Sequence, residues 1–157
     1  MSARSVPASQ TIAAGVKAMP ILQHVSDLVI MARKQFEQVR VHEAAAMRER
    51  GEARLIDIRD KQELKDVGTL PLAYHVSRAM LEFWADPQSP YHNIVFNTDH
   101  KLIPFCASGM RSTLPAITFV DMGMTNMIEM EGGFTEWEKQ GLLVEYLECG
   151  RPAGTAS

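Results

Sequence analysis

Lys101-Leu102-Ile103-Pro104-Phe105-Cys106-Ala107-Ser108-Gly109-Met110-Arg111-Ser112 is the stretch on which the fold turns. Residues 101–105 form a short, mostly apolar run, the pattern of a strand buried on both faces. Small residues follow, then a helical pattern that ends near Met122 at Gly123. Strand, small-residue turn and helix in that order make a parallel-sheet unit. Working outward, residues 54–58 (RLIDI) are a second buried strand and residues 125–130 (TNMIEM) a third. Helical segments alternate with them. Residues 42–50 (HEAAAMRER) are closed by Gly51, and residues 78–85 (RAMLEFWA) are stopped by Asp86-Pro87. Residues 134–140 (FTEWEKQ) precede Gly141. Asp60 and Glu63 have the spacing of an acidic capping box, and Gly68-Thr69-Leu70-Pro71 is a turn. Upstream, residues 27–39 place Leu28, Met31 and Phe36 at helical spacing with Asp27 as N-cap, before an extended Val39-Arg40-Val41.

Composition narrows the function classes. The chain has 157 residues, 46% hydrophobic and 22% charged, as expected of one globular domain with a terminal extension. Sixteen basic against nineteen acidic residues leave a net charge of −3 and no basic stripe, so nucleic acid is not an expected partner. No apolar run approaches the ~20 residues that span a bilayer, so no membrane partner is expected either. Two cysteines, Cys106 and Cys149, are too few for a disulfide framework. The five histidines (His24, His42, His75, His92 and His100) lack ligand spacing, so neither metal nor other cofactor is expected. Residues 1–26 are rich in Ser and Ala, with Arg4 and Lys17 and no acid before Asp27. They are no secretory signal. A cytoplasmic protein with a leader is expected; the alternative is a transit peptide to the mitochondrial matrix.

The chemistry points to the loop after residues 101–105. Ligands bind open α/β sheets at the carboxyl ends of strands. A helix N-terminus there presents unpaired N–H groups and partial positive charge, a cradle for an anion. A cysteine at its centre gains a stabilised thiolate and acts as a nucleophile without a neighbouring histidine. Gly109 allows the turn, and Ala107 and Ser108 keep the cradle open. The competing reading takes Cys106 as a small buried apolar residue, which the glycine turn, Arg111 and the immediate helix start disfavour.

At this point the chain resembles the single-domain rhodaneses, the thiosulfate sulfurtransferases. Cys106 to Ser112 looks like their active-site loop. Leu55-Ile56-Asp57-Ile58-Arg59 with Glu63 resembles their Asp-x-Arg signature. Gly68-Thr69-Leu70-Pro71-Leu72-Ala73 stands for their Gly-His-Ile-Pro-Gly-Ala turn, and Glu131-Gly132-Gly133-Phe134 with Trp137 for their Gly-Gly-x3-Trp element. The resemblance implies an α/β fold with a mostly parallel five-stranded sheet and helices on both faces. It divides the chain into an N-terminal extension (1–38, flexible then helical), a rhodanese-like domain (39–148) and a C-terminal tail (149–157). It also implies a mechanism, in which Cys106 takes sulfane sulfur from a small anionic donor, thiosulfate or a persulfide, and passes it to cyanide or a thiol, including a protein thiol. Ala107, Ser108, Gly109, Met110, Arg111 and Ser112 are then the substrate-binding residues, with hydroxyl donors from Ser108 and Ser112. The related cell-cycle phosphatases carry one residue more between cysteine and arginine, so phosphatase chemistry is not expected.

Arg111 has two readings, contact with the substrate's oxyanion or an inward pin to a carboxylate such as Asp57 or Glu129. Ala107 stands where the family often has a basic residue, and Met110 is neutral, so weak thiosulfate binding is expected. Thr69 and Leu72 replace the usual His and Gly, so that turn is expected to differ in shape. Pro104 threatens a central ladder, and Pro115 is tolerable only in the first helical turn. Cys149 is either a resolving thiol or a bystander. His75 and His92 are read as solvent-facing or satisfied histidines, and Asp57 with Arg59 as buried support for the sheet. Trp84, Trp137, Phe83 and Phe134 are expected core anchors. Two functional alternatives stay open: a persulfide carrier or redox sensor with little thiosulfate turnover, and an interaction module that only kept the fold.

Overall fold

Five short parallel strands build the sheet: β1 (Glu37–Val39), β2 (Ala53–Asp57), β3 (Tyr74–His75), β4 (Lys101–Phe105) and β5 (Ile128–Met130). The computed structural model describes residues 19–147. The expected flexible leader, the transit-peptide reading and the tail with Cys149 lie outside the described residues. One leaf has the order β3-β2-β4 and the other β1-β5. A parallel bridge between Leu102 and Met127 joins them, so the full order is β1-β5-β4-β2-β3.

Among the described residues there are six α-helices: α1 (Val25–Arg33), α2 (Val41–Glu49), α3 (Lys61–Val67), α4 (Leu81–Ala85), α5 (Met110–Asp121) and α6 (Gly133–Lys139). The strands are apolar on both faces because both are covered. Alternation divides the side chains between two cores. Ala53, Leu55, Ile103 and Phe105 join Phe134 and Trp137 on one face. Ile56, Ile58, Leu102 and Cys106 join Leu81, Ala116 and Phe119 on the other. The expected architecture, a five-stranded parallel sheet with helices on both faces, is the one observed.

Pro104 explains why the sheet has two leaves. Successive amides of a parallel strand point to opposite neighbours. Lys101 N–H donates to Glu52 O on the β2 side, and Leu102 N–H donates to Asn126 O on the β5 side. Residue 104 shares the direction of Leu102, and proline has no N–H to give. The β2–β4 register therefore runs unbroken from Ala53↔Lys101 to Asp57↔Phe105, while contact with β5 shrinks to one bridge. The ladder is broken on one side only. Pro115 requires a correction: it is buried in the second turn of α5, not the first, where its missing N–H withholds a bond from the Arg111 carbonyl.

The N-terminal reading also needs correction. His24, not Asp27, is the N-cap of α1, and the helix ends at Arg33 because residues 37–39 pair with β5. Val29 and Ala32 are the buried residues of α1, while Leu28 and Met31 face outward. The expected extended residues Arg40 and Val41 are instead the N-cap and first residue of α2. Residues 78–80 form a 3-10 turn ahead of α4, and β5 is shorter than expected at its start. Phe83 is exposed beside Tyr91, with ring centroids 6.4 Å apart, so it is no core anchor; Trp137 and Phe134 are buried.

Leu72 takes a left-handed φ of 61° with its side chain exposed. That backbone costs an L-residue about 1 kcal/mol, and the exposed side chain offsets little of it by burial. Leu72→Gly is therefore expected to stabilise the fold by about 0.5 kcal/mol after the added freedom of the unfolded chain is counted. Chemical denaturation checks this, and a loss of stability would contradict it.

Candidate active site

Cys106 follows β4 directly at its carboxyl end and is wholly buried. The chain then turns through Ala107 and Ser108 to Gly109, whose φ of 87° makes it the left-handed N-cap of α5. Gly109 N–H donates to Cys106 Sγ at 3.2 Å, and Ser112 Oγ lies 3.7 Å from the same sulfur. Ser108, Met110 and Arg111 are exposed, and Ser112 is buried.

What shapes the loop is the capture of its carbonyls. Phe134 N–H donates to Cys106 O and Thr135 N–H to Ala107 O, each at 2.9 Å. Gly109 O accepts from Thr113 Oγ1 at 2.8 Å and from Arg33 Nη2 at 3.3 Å. With these carbonyls engaged away from the sulfur, the first turn of α5 is left with amides and positive dipole, the polarity an anion requires. Gly133 makes the close approach possible. A Cβ there would stand 2.4 Å from Cys106 O and 3.1 Å from Gly109 N.

Arg111 turns to neither carboxylate named for it. It forms a two-armed pair with Glu63, Nη2 to Oε1 at 2.7 Å and Nη1 to Oε2 at 3.0 Å. Glu63 is itself fixed at the start of α3, where Asp60 N–H donates to Oε2 at 3.0 Å. The hydrogen bonds from Arg111, aided by Asp60 N–H, hold the Glu63 carboxyl below the ordinary carboxylate range against partial burial. Arg111 is raised in turn, first by Glu63. Asp57 is taken by Arg59, at 3.0 and 2.7 Å, and by Thr69 Oγ1 at 2.7 Å. Glu129, buried on β5, accepts from Arg33 Nε, Gln38 Nε2 and Thr113 Oγ1.

Residues 106–112 thus come together as one loop, with Glu63 added at its rim. Glu129, expected as a partner for Arg111, lies beneath it bound to Arg33, Gln38 and Thr113, none of which was anticipated there. Their only sequence signal is a buried acid on a strand, which demands partners. His75 Nε2 contacts Arg59 O and His92 bridges Trp84 O and Asn97 Oδ1, satisfied side chains as expected. No helix among the described residues is long and apolar enough to cross a membrane.

Comparison with known proteins places this geometry. The rhodanese-like domain family matches residues 40–140. Thiosulfate sulfurtransferase GlpE of Vibrio cholerae is 28% identical over 111 residues, which cover 70% of this chain and 95% of that protein. A structure from Rhodopseudomonas palustris, described as a protein of unknown function and possible tyrosine phosphatase, is 35% identical with a TM-score of 0.78. It is covered completely and covers 83% of this chain. The polysulfide-sulfur transferase homodimer of Wolinella succinogenes is 26% identical, with a TM-score of 0.57 and coverage of 79% of this chain and 88% of that one. The chain is homologous to sulfurtransferases.

Proposed function

The chain belongs to the rhodanese-like domain family, and from that premise we propose that it transfers sulfane sulfur through a persulfide on Cys106. The observation that carries the reading is the Gly109 amide on Cys106 Sγ, at the base of a loop whose Cys106, Ala107 and Gly109 carbonyls are engaged elsewhere. The Cys106 thiolate attacks the outer sulfur of the donor. The donor's S–S bond breaks, and its electron pair leaves with sulfite or with a thiolate. The resulting Cys106 persulfide carries its negative charge on the terminal sulfur, where amide donors stabilise it. Cyanide or a thiolate then attacks that sulfur and returns the Cys106 thiolate, with no outside oxidant or reductant needed. Ala107, Ser108, Gly109, Met110 and Ser112 line the path of the incoming sulfur, and no cofactor enters the cycle. A cytoplasmic setting, with its pool of small thiols, fits this chemistry.

The Glu63–Arg111 pair favours a second reading, a carrier that takes persulfide sulfur and turns over little thiosulfate. The one guanidinium of the loop is already engaged by a carboxylate, so a doubly charged donor must compete for it. Intact-mass measurement after incubation with thiosulfate or with a small persulfide separates the readings. Gain of one sulfur atom from either donor supports the enzyme, gain from the persulfide alone supports the carrier, and gain from neither sinks both. The loop is one residue shorter than in the phosphatases, and an aryl phosphate is expected to show no turnover.

Glu63→Gln frees Arg111 and is expected to lower KM for thiosulfate about fivefold. The same pair has a signed pH dependence. Because the folded Glu63 titrates below its unfolded value, its stabilising contribution is present above the ordinary glutamate range and lost as pH falls through the folded value. Both side chains are partly exposed, so the loss stays under about 1 kcal/mol. Unfolding from neutral pH into the acid range checks this by comparing wild type with Glu63→Gln; parallel pH profiles would contradict it.

A further inference from the structure

We propose that Arg33, on α1 and outside the span that matches the family, is a positioning residue for the Cys106 loop; this rests on the persulfide reading above. Gly109 is the joint on which the cradle depends. Its N–H holds Cys106 Sγ at 3.2 Å, and its φ of 87° belongs to a residue with no side chain to pack in place. The Gly109 carbonyl lies in the next peptide plane, joined to that amide through the φ and ψ of Gly109, so holding the carbonyl narrows the range over which the amide can turn.

Three side chains reach that carbonyl, and one of them, Ser112 Oγ at 3.4 Å, also lies 3.7 Å from Cys106 Sγ. Thr113 Oγ1 faces both Gly109 O and Glu129 Oε1, and a hydroxyl has one proton to give. Arg33 has a donor for each acceptor: Nη2 meets Gly109 O at 3.3 Å while Nε meets Glu129 Oε1 at 3.1 Å. Glu129 is anchored in β5 and further held by Gln38 from β1. The guanidinium thus ties the loop to the sheet on the β5 side, where Pro104 leaves a single ladder bridge. Its charge also makes this the strongest class of bond available to a backbone carbonyl. Arg33 touches neither the sulfur nor the donor's path and acts through Gly109.

Amide hydrogen exchange of the full chain by NMR, together with persulfide loading, tests this on Arg33→Met and Arg33→Lys. Arg33→Met is expected to speed exchange at Gly109 about tenfold, with the β2–β4 amides unchanged. The loading rate at saturating donor should fall about tenfold while the donor's KM stays at the wild-type value. Arg33→Lys, which keeps one charged donor but not the fork, should recover part of both. A Gly109 exchange rate within about twofold of wild type in a folded Arg33→Met, or loss spread evenly over the sheet, overturns the proposal. Should Arg33→Met fail to fold, Arg33→Lys decides, since wild-type exchange at Gly109 there also overturns it. Failure of the wild type itself to load sulfur sinks the persulfide reading and leaves the exchange comparison to decide the role of Arg33.

Discussion

Cys106→Ala is expected to abolish sulfur loading, with a fall of more than about a thousandfold in transfer rate. The sulfur is the only atom at the site able to hold the transferred sulfur covalently, and Gly109 N–H points at it. Removing one buried sulfur costs little fold stability, on the order of 1 kcal/mol, so the variant should remain folded and the loss can be assigned to chemistry. Intact mass after incubation with donor should show one added sulfur atom in the wild type, removable by cyanide, and none in the variant. Loading that persists in Cys106→Ala would move the chemistry to another residue and end the present reading.

Asp57→Ala is expected to be the most damaging change to stability, about 3–5 kcal/mol, or roughly 10 °C in Tm. Asp57 and Arg59 are both essentially inaccessible to water, at 0% and 1% exposure. Their mutual hydrogen bonds offset the cost of taking two charges out of water; deleting Asp57 leaves the guanidinium buried beside the rings of Phe134 and Phe105, 4.1 and 5.9 Å away. Cation–π attraction of about 1 kcal/mol does not replace a carboxylate. The damage reaches the site, because Phe134 also supplies the N–H that holds Cys106 O. A double change to apolar residues, Asp57→Leu with Arg59→Met, should recover most of the loss, since no lone charge remains. Thermal unfolding that shifts by less than about 2 °C in Asp57→Ala would show that Arg59 finds water or another partner.

Much of the fold could be read directly. The strand at residues 101–105 has the bounds of β4, and Gly51, Gly123 and Gly141 follow their helices with positive φ, because buried apolar runs and glycine stops are local signals. β1 could not be read in the same way. Glu37, Gln38 and Val39 carry no strand pattern, and they are extended only because β5 offers a ladder. The partner of Arg111 was missed for a related reason. Asp57 and Glu129 stand on strands near the loop, but each is engaged by groups whose proximity only the folded chain reveals: Arg59 and Thr69 for one, Arg33, Gln38 and Thr113 for the other. Glu63 was recognised for its cap while its carboxylate retained room for a second donor. The loop residues themselves were legible because a cysteine, a glycine turn and a helix start are contiguous in the chain.

The loop's dependence on the start of α6 bears on biosynthesis. Cys106 leaves the ribosome well before Gly133, Phe134 and Thr135, and domains fold as chain becomes available. Until those residues arrive, the carbonyls of Cys106 and Ala107 have no donor from α6 and are free to turn toward the sulfur. An unfinished or truncated chain therefore presents Cys106 without those constraints, and the loop takes the shape on which the proposed sulfur transfer depends only when α6 closes over it.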